Sequence, residues 1–120
     1  MRFAEELRTS VKTYDEALTD TPSPSTSRGT RGPVVKPDIA APGDTIASAL
    51  SGSGDKPVVL SGTSMAAPHT TGIAAMLREK RPDWTPEEIK AALMNTAGAD
   101  ITTGGPEGTV YGPNRVGSGR

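Results

Sequence analysis

The sequence predicts a mixed fold of short strands leading into two helices, with a core too thin to stand alone. Three observations carry this reading. Brief extended segments punctuated by Gly and Pro occupy residues 34–60. An uncharged, alanine-rich stretch follows at residues 65–77, and a capped amphipathic stretch at residues 85–98. Against these elements stands the composition: 14 glycines, 11 prolines and only 3% aromatic residues in a chain of 120. Much of the apolar content is alanine, which packs closely but buries little area.

Taken in order, residues 1–20 carry a weak helical pattern, with Phe3, Leu7, Val11, Tyr14 and Leu18 three or four apart. Residues 21–33 are rich in Ser, Thr, Pro and Gly and read as a linker or surface loop. Asp38–Ala41 reads as a short extended segment stopped by Pro42-Gly43, Thr45–Leu50 as a second, and Val58–Leu60 as a third, followed at once by Gly62. From Met65 to Leu77 no residue is formally charged, the pattern of a helix buried on nearly all sides. Its small residues, Ala66, Ala67, Gly72, Ala74 and Ala75, permit close approach by neighbouring backbone. Arg78-Glu79-Lys80-Arg81 and then Pro82 mark its end, so the helix is expected from near Ser64 to about Lys80. Pro68 must lie in its first turn or distort it, because an interior proline removes a hydrogen bond and clashes. The second helix is expected from Pro86 to about Ala97. Thr85 caps it, Pro86 takes the first position, and Glu88 completes a Thr-x-x-Glu capping box. Ile89, Ala92, Leu93 and Thr96 share one face, and Gly98 supplies the stop. The tail from Thr102 reads as loop.

Bulk properties exclude several classes. A net charge of −1 leaves no electrostatic case for nucleic acid or an anionic membrane as partner. The absence of cysteine rules out disulfides and thiolate metal sites. No apolar run approaches membrane-spanning length. Residues 1–8 mix acids and bases where a signal peptide needs an apolar stretch, so the sequence displays neither an export signal nor an anchor. A helix buried on all sides contradicts so thin a chain unless something covers it, either another subunit or the rest of a larger domain. The isolated chain is therefore expected to fold poorly.

A strand at Val58–Leu60, a glycine turn and a serine at a helix start make a recurrent nucleophile geometry. The helix N-terminus offers unpaired N–H groups and a positive dipole end that can stabilise the oxyanion formed when serine attacks a carbonyl. On Gly62-Thr63-Ser64 alone, the plainer reading of Thr63 or Ser64 as a helix cap takes precedence.

The longer string reverses that order. Gly62-Thr63-Ser64-Met65-Ala66-Ala67-Pro68-His69 closely resembles the serine-centred signature of the subtilisin-like proteases, the subtilases. Lys36-Pro37-Asp38-Ile39-Ala40-Ala41-Pro42-Gly43 is similar to the family's segment before the nucleophile. Ser27-Arg28-Gly29 and Gly32-Pro33 resemble its Ser-Arg-Gly-Pro loop, interrupted here by Thr30-Arg31. Arg81–Lys90 and Ala92–Ala97 look like its following helix, and Tyr111–Val116 is a loose version of its Gly-rich C-terminal turn. The resemblance covers residues 27–116, while residues 1–26 stay unassigned.

The resemblance implies an α/β domain: the C-terminal portion, residues 27–120, of a three-layer fold with a mostly parallel sheet and the serine at the N-terminus of a central buried helix. It implies a serine-type endopeptidase with Ser64 as nucleophile, the Ser64 N–H in the oxyanion hole and Thr63 at its edge. Such chemistry requires no cofactor and no metal, and the partner of the complete enzyme is a peptide or protein substrate. Complete family members are commonly secreted.

The order Asp, His, Ser in this family places both triad partners upstream of Ser64. His69 is the only histidine, and five residues along a helix rotate it about 140° from Ser64. A base must come within hydrogen-bond reach of the hydroxyl, so His69 is expected to be structural. Asp38, Asp44, Asp55, Asp83 and Asp100 then have no imidazole to orient and are expected to be solvated loop or helix-end carboxylates. Asn95 and Asn114 lie downstream, whereas the family's oxyanion asparagine lies upstream. In subtilisin itself, loss of the histidine lowers turnover about 10⁶-fold, so the chain alone is expected to be inactive and to need the N-terminal half of the domain. The alternatives are a non-catalytic interaction module that keeps part of the protease fold, and a small structural protein in which Ser64 is only a cap.

Overall fold

A computed structural model describes residues 20–29, 32–105 and 107–120 of the chain; the helical pattern of residues 1–19 lies outside the described residues. Strands β1 (Ile46–Ala49) and β2 (Pro57–Leu60) form a two-stranded antiparallel sheet, with Ile46 opposite Leu60 and Ala49 opposite Pro57. The connection is closed by Ser53, whose hydroxyl donates to the Leu50 carbonyl (2.7 Å) and accepts from the Lys56 N–H (3.1 Å). So short a link can join only antiparallel strands. The extended segment expected at 38–41 is not a strand, because its backbone bonds elsewhere. The Asp38 carbonyl accepts from Ser118 N–H (3.0 Å), and Ala40 N–H donates to the Gly119 carbonyl (2.7 Å).

Helix α1 runs Thr63–Lys80 and α2 runs Pro86–Thr96. The capping box forms in full: Glu88 N–H donates to the Thr85 hydroxyl (3.2 Å), and Thr85 N–H donates to the Glu88 carboxylate (2.7 Å). The turn between the helices is fixed by Arg78, whose guanidinium donates to the Trp84 carbonyl, and by Arg81, whose guanidinium lies 5.6 Å from the Trp84 ring centre. Pro68 is the sixth residue of α1, beyond the first turn, so the Ser64 carbonyl has no N–H at its usual i+4 partner. The tail is not wholly loop: Pro113–Val116 forms a single helical turn, α3, opened by its proline.

The core sits at the C-terminal end. Ile101 and Val116 are the only buried hydrophobic residues among those described, with Thr102 buried beside them. Residues 20–29 contain no helix or strand, yet they are tied to this region. Thr102 N–H donates to the Asp20 carbonyl (2.8 Å), and the Arg115 guanidinium donates to the Thr26 carbonyl (2.6 Å). The Arg120 side chain pairs with both Asp20 (2.7 Å) and Asp100 (2.7 Å).

Helix α1 departs from expectation in one respect: none of its residues is buried, and Ile73 and Met76 remain 47% and 63% exposed. Its composition suits a buried helix, but α2 covers only one side and β1 and β2 only its start. Without that burial, helix stability falls back on propensity, which is marginal for isolated helices. The isolated chain should therefore unfold gradually by circular dichroism, with weakly protected amides across residues 65–77. A cooperative transition with strong protection there, in a proven monomer, would contradict this.

Asp38 bridges Lys36 (2.6 Å) and Lys90 (2.9 Å), pinning α2 to the segment before the hairpin. Lys36 first, and then Lys90, hold its carboxyl below the ordinary value of 3.8. A depressed folded-state pKa contributes stability above the unfolded value and loses it as pH falls through the folded one. Exchange protection around Lys90 should thus decline below about pH 4, and Asp38→Asn should weaken that dependence while lowering protection at neutral pH.

Candidate active site

The site grows from the end of the hairpin. Outward from the Ile46–Leu60 pair, the ladder continues through side chains and then through one backbone bond. Thr45 N–H donates to the Ser61 hydroxyl oxygen (2.8 Å), and the Ser61 hydroxyl donates to the Asp44 carboxylate (2.6 Å). The same carboxylate oxygen accepts from the Thr45 hydroxyl (3.2 Å). Hydroxyls of Ser61 and then Thr45 hold the Asp44 carboxyl below the ordinary carboxylate range. One residue further, Gly62 N–H donates to the Gly43 carbonyl (2.7 Å).

Two glycines make this corner possible. Gly62 has φ 151°, a conformation that residues with a side chain rarely adopt. A Cβ on Gly43 would stand 2.8 Å from the Gly62 carbonyl oxygen and 3.1 Å from the Ala66 Cβ. Gly62 is the N-cap of α1, and its carbonyl accepts from Met65 N–H (3.0 Å) and Ala66 N–H (3.4 Å). Among the described residues, the N–H groups of Thr63 and Ser64 have no acceptor, and no side chain caps the helix. Two donors are therefore free at the positive end of the α1 dipole.

Ser64 is the second residue of α1 and is exposed. It borders an open cleft of about 310 Å³ lined also by Ile46, Ala47, Ser48, Met65, Pro68 and His69. The structure thus brings His69 to the same cleft, although its Nδ1 is committed to the Met65 carbonyl one turn back (2.8 Å). That contact makes Nδ1 the protonated nitrogen. No hydrogen bond joins His69 to Ser64 among the described residues. Asn95, on α2, and Asn114, on α3, lie outside the cleft lining.

The aspartates divide. Asp55 and Asp83 are exposed. Asp38, Asp44 and Asp100 are solvent-accessible loop carboxylates, as expected, and each is also engaged: Asp38 holds two lysines, Asp44 holds Ser61 and Thr45, and Asp100 holds Arg120. None of the three is bonded to His69. Asp44 and Ser61 are the site residues that sequence reasoning passed over. No local sequence signal marks them: it is the hairpin register that places Thr45 beside Ser61 just before the glycine turn.

Comparison with known proteins bears on this geometry. The family model described as "Subtilase family" matches residues 8–119. The chain belongs to the subtilase family. The match reaches further towards the N-terminus than the motifs within residues 27–116. Among curated relatives, the "Minor extracellular protease Vpr" of Bacillus subtilis is 39% identical over 130 residues, covering 97% of this chain and 15% of the relative. "Subtilisin-like protease SBT4.8" of Arabidopsis thaliana is 43% identical over 122 residues, covering 84% of this chain and 17% of the relative. "Subtilisin-like protease SBT2.6" from the same plant reaches 49% over 72 residues, covering 53% and 9%. The chain therefore spans a small part of the length of these subtilases. No described helix is long and apolar enough to cross a membrane.

The close approach at Gly43 yields a test. In a hybrid subtilase carrying the upstream part of the Vpr catalytic domain ahead of this chain, Gly43→Ala should destabilise by about 1–3 kcal/mol through overpacking. The denaturant midpoint measures it, and an unchanged midpoint would mean that the corner yields without strain.

Proposed function

We propose that this chain supplies the nucleophile of a serine endopeptidase, with Ser64 as the attacking residue and an upstream part of the domain supplying base and acid. The observation that carries the proposal is the placement of Ser64 in the first turn of α1, at an open cleft, beside two N–H groups with no other acceptor. A peptide carbonyl seated in the cleft is attacked by the Ser64 oxygen. The hydroxyl proton passes to an imidazole, which returns it to the departing amine, and water then releases the acyl group by the same route. The Ser64 N–H, with Thr63 at the edge, stabilises the oxyanion.

His69 does not serve as that imidazole. Five residues further along α1, its ring is turned about 140° from Ser64, and among the described residues no hydrogen bond joins the two. With no other histidine in the sequence, the chain alone is inactive, and the upstream part of a complete domain is its first partner. That part also supplies the parallel strands that cover α1, whose Ile73 and Met76 are otherwise exposed. The relative Vpr, named an extracellular protease, supports a secreted setting for the complete protein.

A fluorophosphonate probe tests the assignment. In the hybrid, the Ser64 oxygen forms a bond to phosphorus, fluoride leaves and the proton goes to the upstream histidine. Mass spectrometry should place the label on Ser64, and Ser64→Ala should abolish it in a folded protein. His69→Ala should lower stability while leaving most of the labelling rate. Labelling at another serine, or peptide cleavage that survives Ser64→Ala, would return Ser64 to the role of a helix cap.

A further inference from the structure

We infer that Asp44 and Ser61 are positioning residues for the nucleophile, a side-chain clamp that sets the conformation of the Gly62–Ser64 turn; this rests on the reading of Ser64 given above. Neither residue lines the cleft around Ser64. They act on it through the backbone. The regular strand ladder ends at Ile46 and Leu60, and the turn that aims Ser64 begins two residues later. In that gap the Ser61 hydroxyl is fully committed, accepting from Thr45 N–H at 2.8 Å and donating to Asp44 at 2.6 Å. The Asp44 oxygen that receives it also receives the Thr45 hydroxyl, so one carboxylate oxygen organises both strands.

The geometry explains why a clamp is needed here. Thr45 has φ 53°, a left-handed conformation unfavourable for a β-branched residue. Gly62 has φ 151° and, lacking a side chain, places few limits of its own on the turn. Two adjacent corners, one strained and one permissive, would let the start of α1 shift relative to β1. Among the described residues only the Gly62–Gly43 bond and the Asp44–Ser61–Thr45 bonds span the two. The free Thr63 and Ser64 N–H groups point wherever the Gly62 turn directs them. An oxyanion donor is effective only within a few tenths of an ångström of its acceptor. Loosening the clamp therefore changes the rate of attack more than it changes substrate binding.

The test uses the full chain in the Vpr hybrid and fluorophosphonate labelling followed over time. Ser61→Ala should lower the limiting labelling rate by about 10- to 100-fold, the scale of a small misplacement of a reacting group. The probe concentration at half-saturation should stay nearly the same. Ser61→Thr, which keeps the hydroxyl, should recover most of the rate. Asp44→Asn, which keeps an acceptor but loses the charge, should give an intermediate loss, and it serves as the primary variant if Ser61→Ala does not fold. Ser53→Ala is the matched control: it removes a hydroxyl of equal connectivity at the other end of the same hairpin, and should lower stability without slowing labelling. A Ser61→Ala hybrid that labels as fast as the wild type, or a Ser53→Ala hybrid slowed to the same degree, overturns the positioning role. A folded wild-type hybrid that never labels at Ser64 overturns the nucleophile assignment instead, and the positioning role falls with it.

Discussion

The approach of Gly43 to Gly62 is the constraint on which the rest of the site depends. The hydrogen bond between them, 2.7 Å from nitrogen to oxygen, joins the loop before β1 to the first turn of α1. It forms only because position 43 has no side chain, since a Cβ there would press on the Gly62 carbonyl and the Ala66 methyl. With that contact made, β1 lies alongside the start of the helix, and the cleft between Ile46–Ser48 and Ser64–His69 follows. The small residues at 66 and 67 thus do two jobs. They leave room for backbone at the site, and they keep the helix surface smooth enough for other elements to pack on it.

Among the described residues little packs on that surface. A helix of 18 residues with none buried gains little from tertiary packing. Among the described residues those that are buried, Ile101, Thr102, Gly105, Val116 and Gly119, belong to a separate wrap in which residues 20–29 and 36–40 and the described part of 98–120 hold each other through backbone bonds and the Arg120 ion pairs. The ion pairs are solvent-accessible and contribute modestly. Local signals therefore account for the individual elements, while few apolar contacts among the described residues fix their arrangement.

This division also explains what could be read in the sequence. The second helix was legible because its determinants are contiguous: Thr85, Pro86 and Glu88 cap it from within four residues. The first was legible because charge is absent and then returns at Arg78, although it begins one residue earlier than expected, at Thr63. Ser64 could be placed at a helix start from the same local pattern. The strand at 38–41 failed because Asp38 and Ala40 find backbone partners at Ser118 and Gly119, some 80 residues away, and no local pattern encodes that. The roles of Asp44 and Ser61 were invisible for a related reason. A serine before a glycine turn and an aspartate after Pro42-Gly43 are each ordinary turn residues; only the register that pairs Ile46 with Leu60 brings them together.

The chemistry has the same asymmetry as the fold. A helix start aims its own first N–H groups, so under the proposed function the attacking serine and its oxyanion donors are specified within a few residues of Gly62. A general base must be delivered through space to within hydrogen-bond reach, at a position that only tertiary packing fixes. His69 illustrates the difference: it shares the cleft, yet the helix that carries it also engages its Nδ1 with the Met65 carbonyl. A histidine on the nucleophile's own helix is governed by that helix's geometry. Under the proposed function the base comes from elsewhere in the domain, where it can be oriented independently of the serine it serves.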